Sequence, residues 1–326
     1  MKKYNLAVLG ATGLVGSTIV KILEERKFPV ENIYFLASKK SAGSIVNFQN
    51  KDYVVEELNE KSFDKDIDIA LFAAGGAISE KYGKLAASKG ITVIDNSSLF
   101  RMDTDVPLVV PEVNADSIKE NNGIIANPNC TTIQAVVALK PLDDKFKIKR
   151  IVYSTYQAVS GSGLGGLKDL EEGNVECYAH QIQFNALPHV DSFLENGYTK
   201  EEMKMIDETR KILKNEDIKI TATCVRVPVK YAHSLSINVE FEKPFDIEDV
   251  YKVLENAPGV IVRDNGEENL YPMAIDIEGK DSVYVGRIRK DFSLENGINL
   301  WVVADNIRKG AALNAVQIAE KLIDLK

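Results

Sequence analysis

The chain has 326 residues, 45% of them hydrophobic, more than one ordinary domain needs and enough for two units with separate cores. A net charge of −8 argues against nucleic acid as a main partner, and no stretch reaches the ~18 consecutive apolar residues of a membrane span. Met1-Lys2-Lys3-Tyr4 runs directly into an apolar pattern with no room for a cleavable leader, so a cytoplasmic protein is expected. Three cysteines far apart, Cys130, Cys177 and Cys224, fit neither a disulfide framework nor zinc-type spacing, and no metal site is expected.

Residues 6–9 form a short apolar run that ends at Gly10-Ala11-Thr12-Gly13-Leu14-Val15-Gly16, after which Val15, Ile19, Ile22 and Leu23 recur at helical spacing. Strand, glycine turn and helix in that order form a dinucleotide-binding context, with Gly10, Thr12, Gly13, Leu14, Val15 and Gly16 as candidate cofactor contacts. The bland alternative is a glycine turn without a ligand. The next strand, 33–37, runs into Ser38, Lys39, Lys40 and Ser41 and lacks the acidic residue that would accept from a ribose 2′-hydroxyl. Ser38, Lys40 and Ser41 suit a 2′-phosphate, so NADP is the expected cofactor; a solvated pair of surface charges is the alternative.

Strands are predicted at 67–73, 91–95, 108–110 and 124–126, with a helix over 79–89, which gives a mainly parallel sheet covered on both faces. Arg101 lies just beyond the carboxyl end of one of these strands, where ligands of open α/β sheets collect. Then comes Asn127-Pro128-Asn129-Cys130-Thr131-Thr132, a lone cysteine at the mouth of a helix predicted over 131–139. The positive end of that helix favours a thiolate, although a small buried residue behind an Asn cap would read the same way.

Past Pro141 the strands lengthen and alternate, at 148–156, 218–229, 235–241, 282–288 and 298–304, as in a largely antiparallel sheet of an α+β domain. Ser160-Gly161-Ser162-Gly163 opens a loop that either meets a cofactor or is merely flexible. Thr199 and Glu202 have capping-box spacing at the start of a helix on which Glu208 and Lys211 share a face, as a ligand pair or an ordinary surface ion pair. Among His180, His189 and His233, the last is the best candidate base because Arg226 precedes it closely. Their odd separation would put them on opposite faces of one unbroken strand, which Pro228 could interrupt. A final helix, 307–325, carries small residues suited to close packing against the first domain.

Together these segments resemble the aspartate-semialdehyde dehydrogenase family, in order and over nearly the whole chain: 10–16, 37–43, 96–102, 127–134, 155–163, 208–211, 226–234 and 301–317. The resemblance implies a Rossmann-like NADP-binding domain with a mainly parallel sheet, 1–129 with 306–326, and an α+β catalytic and dimerisation domain, 130–305, in a homodimer. It implies Cys130 as nucleophile, His233 as general acid/base and Gln157 as the glutamine that positions the reacting groups. Arg226 is implied as the clamp on the substrate carboxylate, Glu208 as partner of its amino group, and Arg101 and Lys211 as phosphate-binding cations. Ser38 and Lys40 match positions at the adenosine 2′-phosphate; Ser160, Gly161 and Asn306 match positions by the cofactor, the last two near the nicotinamide. Two departures stand out: Lys40 where many relatives carry arginine, and Ala232 where many carry glycine.

The implied reaction is the reversible NADP-dependent conversion of L-4-aspartyl phosphate to L-aspartate 4-semialdehyde and phosphate through a thioacyl cysteine, in lysine, threonine and methionine biosynthesis. Backbone N–H groups at the start of the Thr131 helix are expected to stabilise the oxyanion. The rivals are an N-acetyl-glutamyl-phosphate reductase, which would not need an acidic partner for a free amine, and a catalytically silent NADP-binding homologue.

Overall fold

Tyr4–Leu9 (β1) is apolar and buried on both sides from Leu6 onward, as a central parallel strand must be. The computed structural model describes residues 2–325, and the chain divides into two units: residues up to Pro128 with those from Ala311 onward, and Asn129–Gly310. After β1, the first unit adds helix α1 (Leu14–Glu25), β2 (Val30–Ala37), β3 (Ile45–Phe48), β4 (Lys51–Val54), β5 (Glu56–Glu57) and β6 (Ile69–Phe72). Helix α2 (Gly76–Ser88), β7 (Thr92–Asp95), the short α3 (Pro111–Asn114) and β8 (Ile124–Ala126) follow.

Six strands form a parallel sheet in the order β5-β2-β1-β6-β7-β8, while β3 and β4 make a separate hairpin. The chain leaves β1 for β2 on one side and returns to β6 on the other, so the glycine turn sits at a topological switch point. The last helix, Leu313–Asp324, belongs to this unit: Val316, Ile318 and Leu322 join Ile19, Ile22 and Leu23 of α1 in one core, and Arg26 grips Glu320 with two bonds of 2.7 Å.

Two expectations change here. Residues 108–110 do not form a strand; Leu108 makes an isolated bridge to Ala126, because Pro107 offers no N–H and Pro111 starts α3. The final helix begins with a π-turn, Arg308–Ala312, before its α-helical part.

In the second unit come α4 (Cys130–Phe146), β9 (Ile148–Gln157), α5 (Gly163–Glu172), α6 (Lys200–Leu213), β10 (Lys219–Arg226), β11 (His233–Phe241) and α7 (Ile247–Glu255). Strand β12 (Val260–Val262), the short α8 (Ala274–Ile277), β13 (Val283–Asp291) and β14 (Gly297–Ala304) complete it. The sheet order is β10-β9-β11-β14-β13-β12, antiparallel at its centre with a parallel pair at each edge.

Helix α4 lies against this sheet with α6 and α7 beside it. It is buried almost all round and passes through Pro141 without ending. Alternation along β9, β11 and β14 sends Ile151, Tyr153, Leu235, Ile237 and Leu300 inward and leaves Ser154, Tyr156, Ser236, Asn238 and Trp301 on the open face. No helix among the described residues is long and apolar enough to cross a membrane.

Candidate active site

In the first unit the glycine turn fits a dinucleotide. Gly10 has φ +74°, and an added Cβ would lie 2.4 Å from the Ala73 carbonyl oxygen; one on Gly16 would lie 2.0 Å from that of Gly10. No side chain caps α1 at Gly13, which leaves the helix start to backbone groups suited to a pyrophosphate. Thr12 is exposed, and Leu14 and Val15 are half-buried at that helix start. Ser38 and Lys40 are exposed and Ser41 is half-buried in a turn in which the Ser38 carbonyl accepts from the N–H groups of Ser41 and Ala42. Arg101 is buried, donating through Nε to the Asn127 carbonyl at 3.0 Å and through Nη2 to the Asn96 carbonyl at 2.8 Å.

In the second unit Cys130 is the first residue of α4. Its Sγ lies 3.3 Å from His233 Nε2, within reach for proton sharing. Asn129 caps the helix, its Oδ1 accepting from the N–H groups of Thr131 at 2.9 Å and Thr132 at 3.3 Å. Those two donors are therefore committed to the cap, which corrects the expectation that they serve an oxyanion.

The odd separation of Arg226 and His233 is resolved by a loop between two strands: Arg226 ends β10 and His233 begins β11. Both are anchored on one residue. Ala158 donates its N–H to His233 Nδ1 at 2.9 Å, and its carbonyl accepts from Arg226 Nη1 at 2.8 Å. Arg226 Nε is a buried donor with no partner among the described residues. Burial and the positive charge of Arg226 drive the His233 pKa down to about 3, against a weaker opposing pull from Glu201.

Helix α6 supplies two carboxylates to Asn129. Glu208 Oε2 accepts the backbone N–H of Asn129 at 2.7 Å. Glu201 Oε1 accepts from Asn129 Nδ2 at 2.9 Å and from Gln157 Nε2 at 3.0 Å, while Gln157 Oε1 accepts from Thr155 Oγ1 at 3.0 Å. Lys204 bonds to Glu201 at 3.1 Å and to Asp191 at 2.7 Å. Burial pushes the Glu201 carboxyl up, but Lys204 and the two amides hold it below the usual carboxylate range.

Of the two α6 carboxylates that hold Asn129, Glu201 is the one bonded to Gln157. Glu208 holds the backbone N–H of the residue before Cys130, and Lys211, three residues further on the same helix, is half-buried in the last turn of α6.

The expected cofactor contacts of this unit gather by the histidine. Asn306 Oδ1 accepts from the Ala232 N–H at 3.0 Å, its Nδ2 bonds to Ser160 Oγ at 3.0 Å, and a Cβ on Gly161 would come within 3.0 Å of Arg226 Nη1. One contact escaped the sequence altogether: a Cβ on Gly310 would lie 2.8 Å from Cys130 Cβ. Cys224 is buried with its thiol pushed up by burial, in keeping with a structural role.

The chain is similar to known proteins over nearly its whole length. The family model described as "Semialdehyde dehydrogenase, NAD binding domain" matches residues 5–121, and "Semialdehyde dehydrogenase, dimerisation domain" matches 139–309. The aspartate-semialdehyde dehydrogenase of Aquifex aeolicus is 57% identical over 333 residues, covering 98% of both chains. A crystal structure of aspartate semialdehyde dehydrogenase II from Vibrio cholerae, complexed with ASA, superposes with a TM-score of 0.96 at 47% identity over 99% of each chain. That of the Candida albicans enzyme with NADP has a TM-score of 0.80 at 27% identity over 98% of each.

Proposed function

Because this chain belongs to the aspartate-semialdehyde dehydrogenase family, we propose that it interconverts L-4-aspartyl phosphate and L-aspartate 4-semialdehyde with NADP(H), through a thioacyl intermediate on Cys130, in aspartate-family amino-acid biosynthesis. The observation that carries the reading is the 3.3 Å approach of Cys130 Sγ to His233 Nε2 at the start of a buried helix.

Cys130 sulfur attacks the acyl carbon, the C–S bond forms, and the C–O bond to phosphate breaks with its electron pair leaving on phosphate. The bound cofactor supplies the hydride that reduces the thioester. The C–S bond then breaks, and the thiolate returns to its place beside His233 Nε2. The histidine, neutral in the resting site, shares its Nε2 proton with sulfur or with the developing oxyanion.

Arg226, with an unpartnered Nε, binds the substrate carboxylate, and Glu208, held at the backbone N–H of the residue before the nucleophile, takes the amino group. Gln157 is fixed from both ends to orient the acyl carbon. Arg101 and Lys211 are the phosphate cations of this reading. Ser38, Lys40 and Ser41, without an acidic neighbour in the turn, favour the 2′-phosphate of NADP. The open sheet face with Tyr156, Ser236 and Trp301 is the surface on which two copies would pair as a homodimer.

The test is NADPH formation from L-aspartate 4-semialdehyde and phosphate, repeated with NAD. Wild type should turn over faster with NADP, and Cys130→Ala should abolish turnover while cofactor binding persists. Substantial turnover by Cys130→Ala would refute thiol catalysis, and faster reduction of N-acetyl-glutamyl phosphate than of aspartyl phosphate would reassign the substrate.

A further inference from the structure

A cleft of about 540 Å³ opens in the second unit beside Arg226, lined also by Cys177, Tyr178, His180, Leu187 and His189. Arg226 is held at one point by the Ala158 carbonyl and retains an unpartnered Nε, so the direction of its remaining donors depends on what restrains the guanidinium plane. Tyr178 is in position to do so. Arg226 Cζ lies over the tyrosine ring, 5.9 Å from its centroid.

The ring is itself restrained. Its hydroxyl donates to the Val159 carbonyl at 3.3 Å. The backbone N–H groups of Glu176, Cys177 and Tyr178 converge on the fully buried carboxylate of Asp169 on α5, with bonds of 2.8 Å from Cys177 and 3.2 Å from Tyr178. Gly166, also on α5, leaves room for the phenol: a Cβ there would lie 2.5 Å from Tyr178 Oη. A loop fixed by a buried carboxylate and an aromatic ring seated over a glycine form a built support, and Arg226 is the charged group it meets.

We propose that Tyr178 is a positioning residue for substrate binding: held by Asp169, it braces Arg226 so that the free Nε edge receives the substrate carboxylate. This rests on the reading of Arg226 as the carboxylate clamp. Tyr178 touches no reacting atom, so it should govern affinity for one substrate and leave the chemical step alone.

Steady-state kinetics with L-aspartate 4-semialdehyde, phosphate and NADP varied separately test it. Tyr178→Leu should raise KM for the semialdehyde about 5- to 10-fold, as expected for loss of one partly buried cation–π contact, with kcat and the phosphate KM within about twofold of wild type. Tyr178→Phe keeps the ring and should restore the KM. Tyr178→Met fills the volume without a π face and should match Tyr178→Leu, so misfolding of either variant leaves the other to decide. Asp169→Asn should raise the same constant by loosening the loop. A wild-type KM in both Leu and Met variants, or a parallel loss of kcat and both KM values, overturns the proposal. Arg226→Ala with an unchanged semialdehyde KM would instead overturn the assignment of the clamp.

Discussion

Ala158 donates its backbone N–H to His233 Nδ1 at 2.9 Å, and this bond decides where the imidazole keeps its proton. A peptide N–H can only donate, so Nδ1 presents its lone pair and the neutral ring carries its hydrogen on Nε2, facing Cys130 Sγ. A second proton would have to enter at Nδ1 against that N–H, in a buried site beside Arg226. The depressed pKa of about 3 follows.

The sign of the pH effect is fixed by that depression. Above pH ~6.5 the histidine is neutral both folded and unfolded and contributes no slope. As pH falls from there toward about 3, the unfolded chain binds a proton that the folded one refuses, and stability drops by about 1.4 kcal/mol per pH unit from this residue. His233→Asn should therefore gain on wild type below pH 6.5, seen as converging urea midpoints. A stability difference constant between pH 7 and 4.5 would count against the buried neutral imidazole.

Glu201 and Glu208 both hold Asn129, but only Glu201 also meets Gln157. Glu201→Gln should lower kcat/KM for the semialdehyde at least about tenfold, the scale of a hydrogen bond to a charged group. Glu208→Gln should raise the semialdehyde KM by a similar factor. For the lysines, Lys211→Ala should raise the phosphate KM and Lys204→Ala should leave it near wild type. The opposite pattern in the lysine kinetics would move the phosphate role to Lys204.

Gly310 sets how closely the chain passes the nucleophile. Its missing Cβ would lie 2.8 Å from Cys130 Cβ, so Gly310→Ala must displace one backbone or the other. A shift of about 1 Å at sulfur predicts a kcat loss on the order of 100-fold, measurable in single-turnover NADPH formation. Full activity would show that the displacement is taken up away from the thiol.

Ala232, directly before the histidine, holds φ +66° with its N–H bonded to Asn306 Oδ1. The left-handed conformation costs an alanine about 1–2 kcal/mol, while glycine adds about 0.4–1 kcal/mol of unfolded-state entropy to overcome. Ala232→Gly should thus stabilise the protein by up to about 1 kcal/mol in chemical denaturation. Destabilisation larger than 1 kcal/mol would mean that the methyl contributes packing that outweighs the strain.

The strand, glycine turn and first helix were legible because β1 is apolar from Leu6 to Leu9 and glycine suits φ +74° at position 10. Cys130, Arg226 and His233 could likewise be picked out by type and company, Gln157 only through the family resemblance, and the four share one neighbourhood. Choosing between the two pairs on α6 was beyond reach of spacing. Glu201/Lys204 and Glu208/Lys211 repeat the same i,i+3 relation seven residues apart, so both face α4 and only tertiary distance separates them. The donors spent at Thr131 and Thr132 could have been foreseen from the Asn129 cap. The β3–β4 hairpin gave little signal, because its positive-φ turn residues are Gln49 and Asn50 where glycine would have announced it.

The first unit closes its core with a helix drawn from the far end of the chain. During synthesis, the sheet strands through β8 leave the ribosome with only part of the apolar stripe of α1 covered, and the 182 residues of the second unit must be translated before the helix that completes the cover exists. At roughly 5–20 residues per second that interval lasts on the order of ten to forty seconds. The nascent dinucleotide-binding half is then an exposed hydrophobic surface, a natural client for a chaperone and the stage at which truncated products would aggregate.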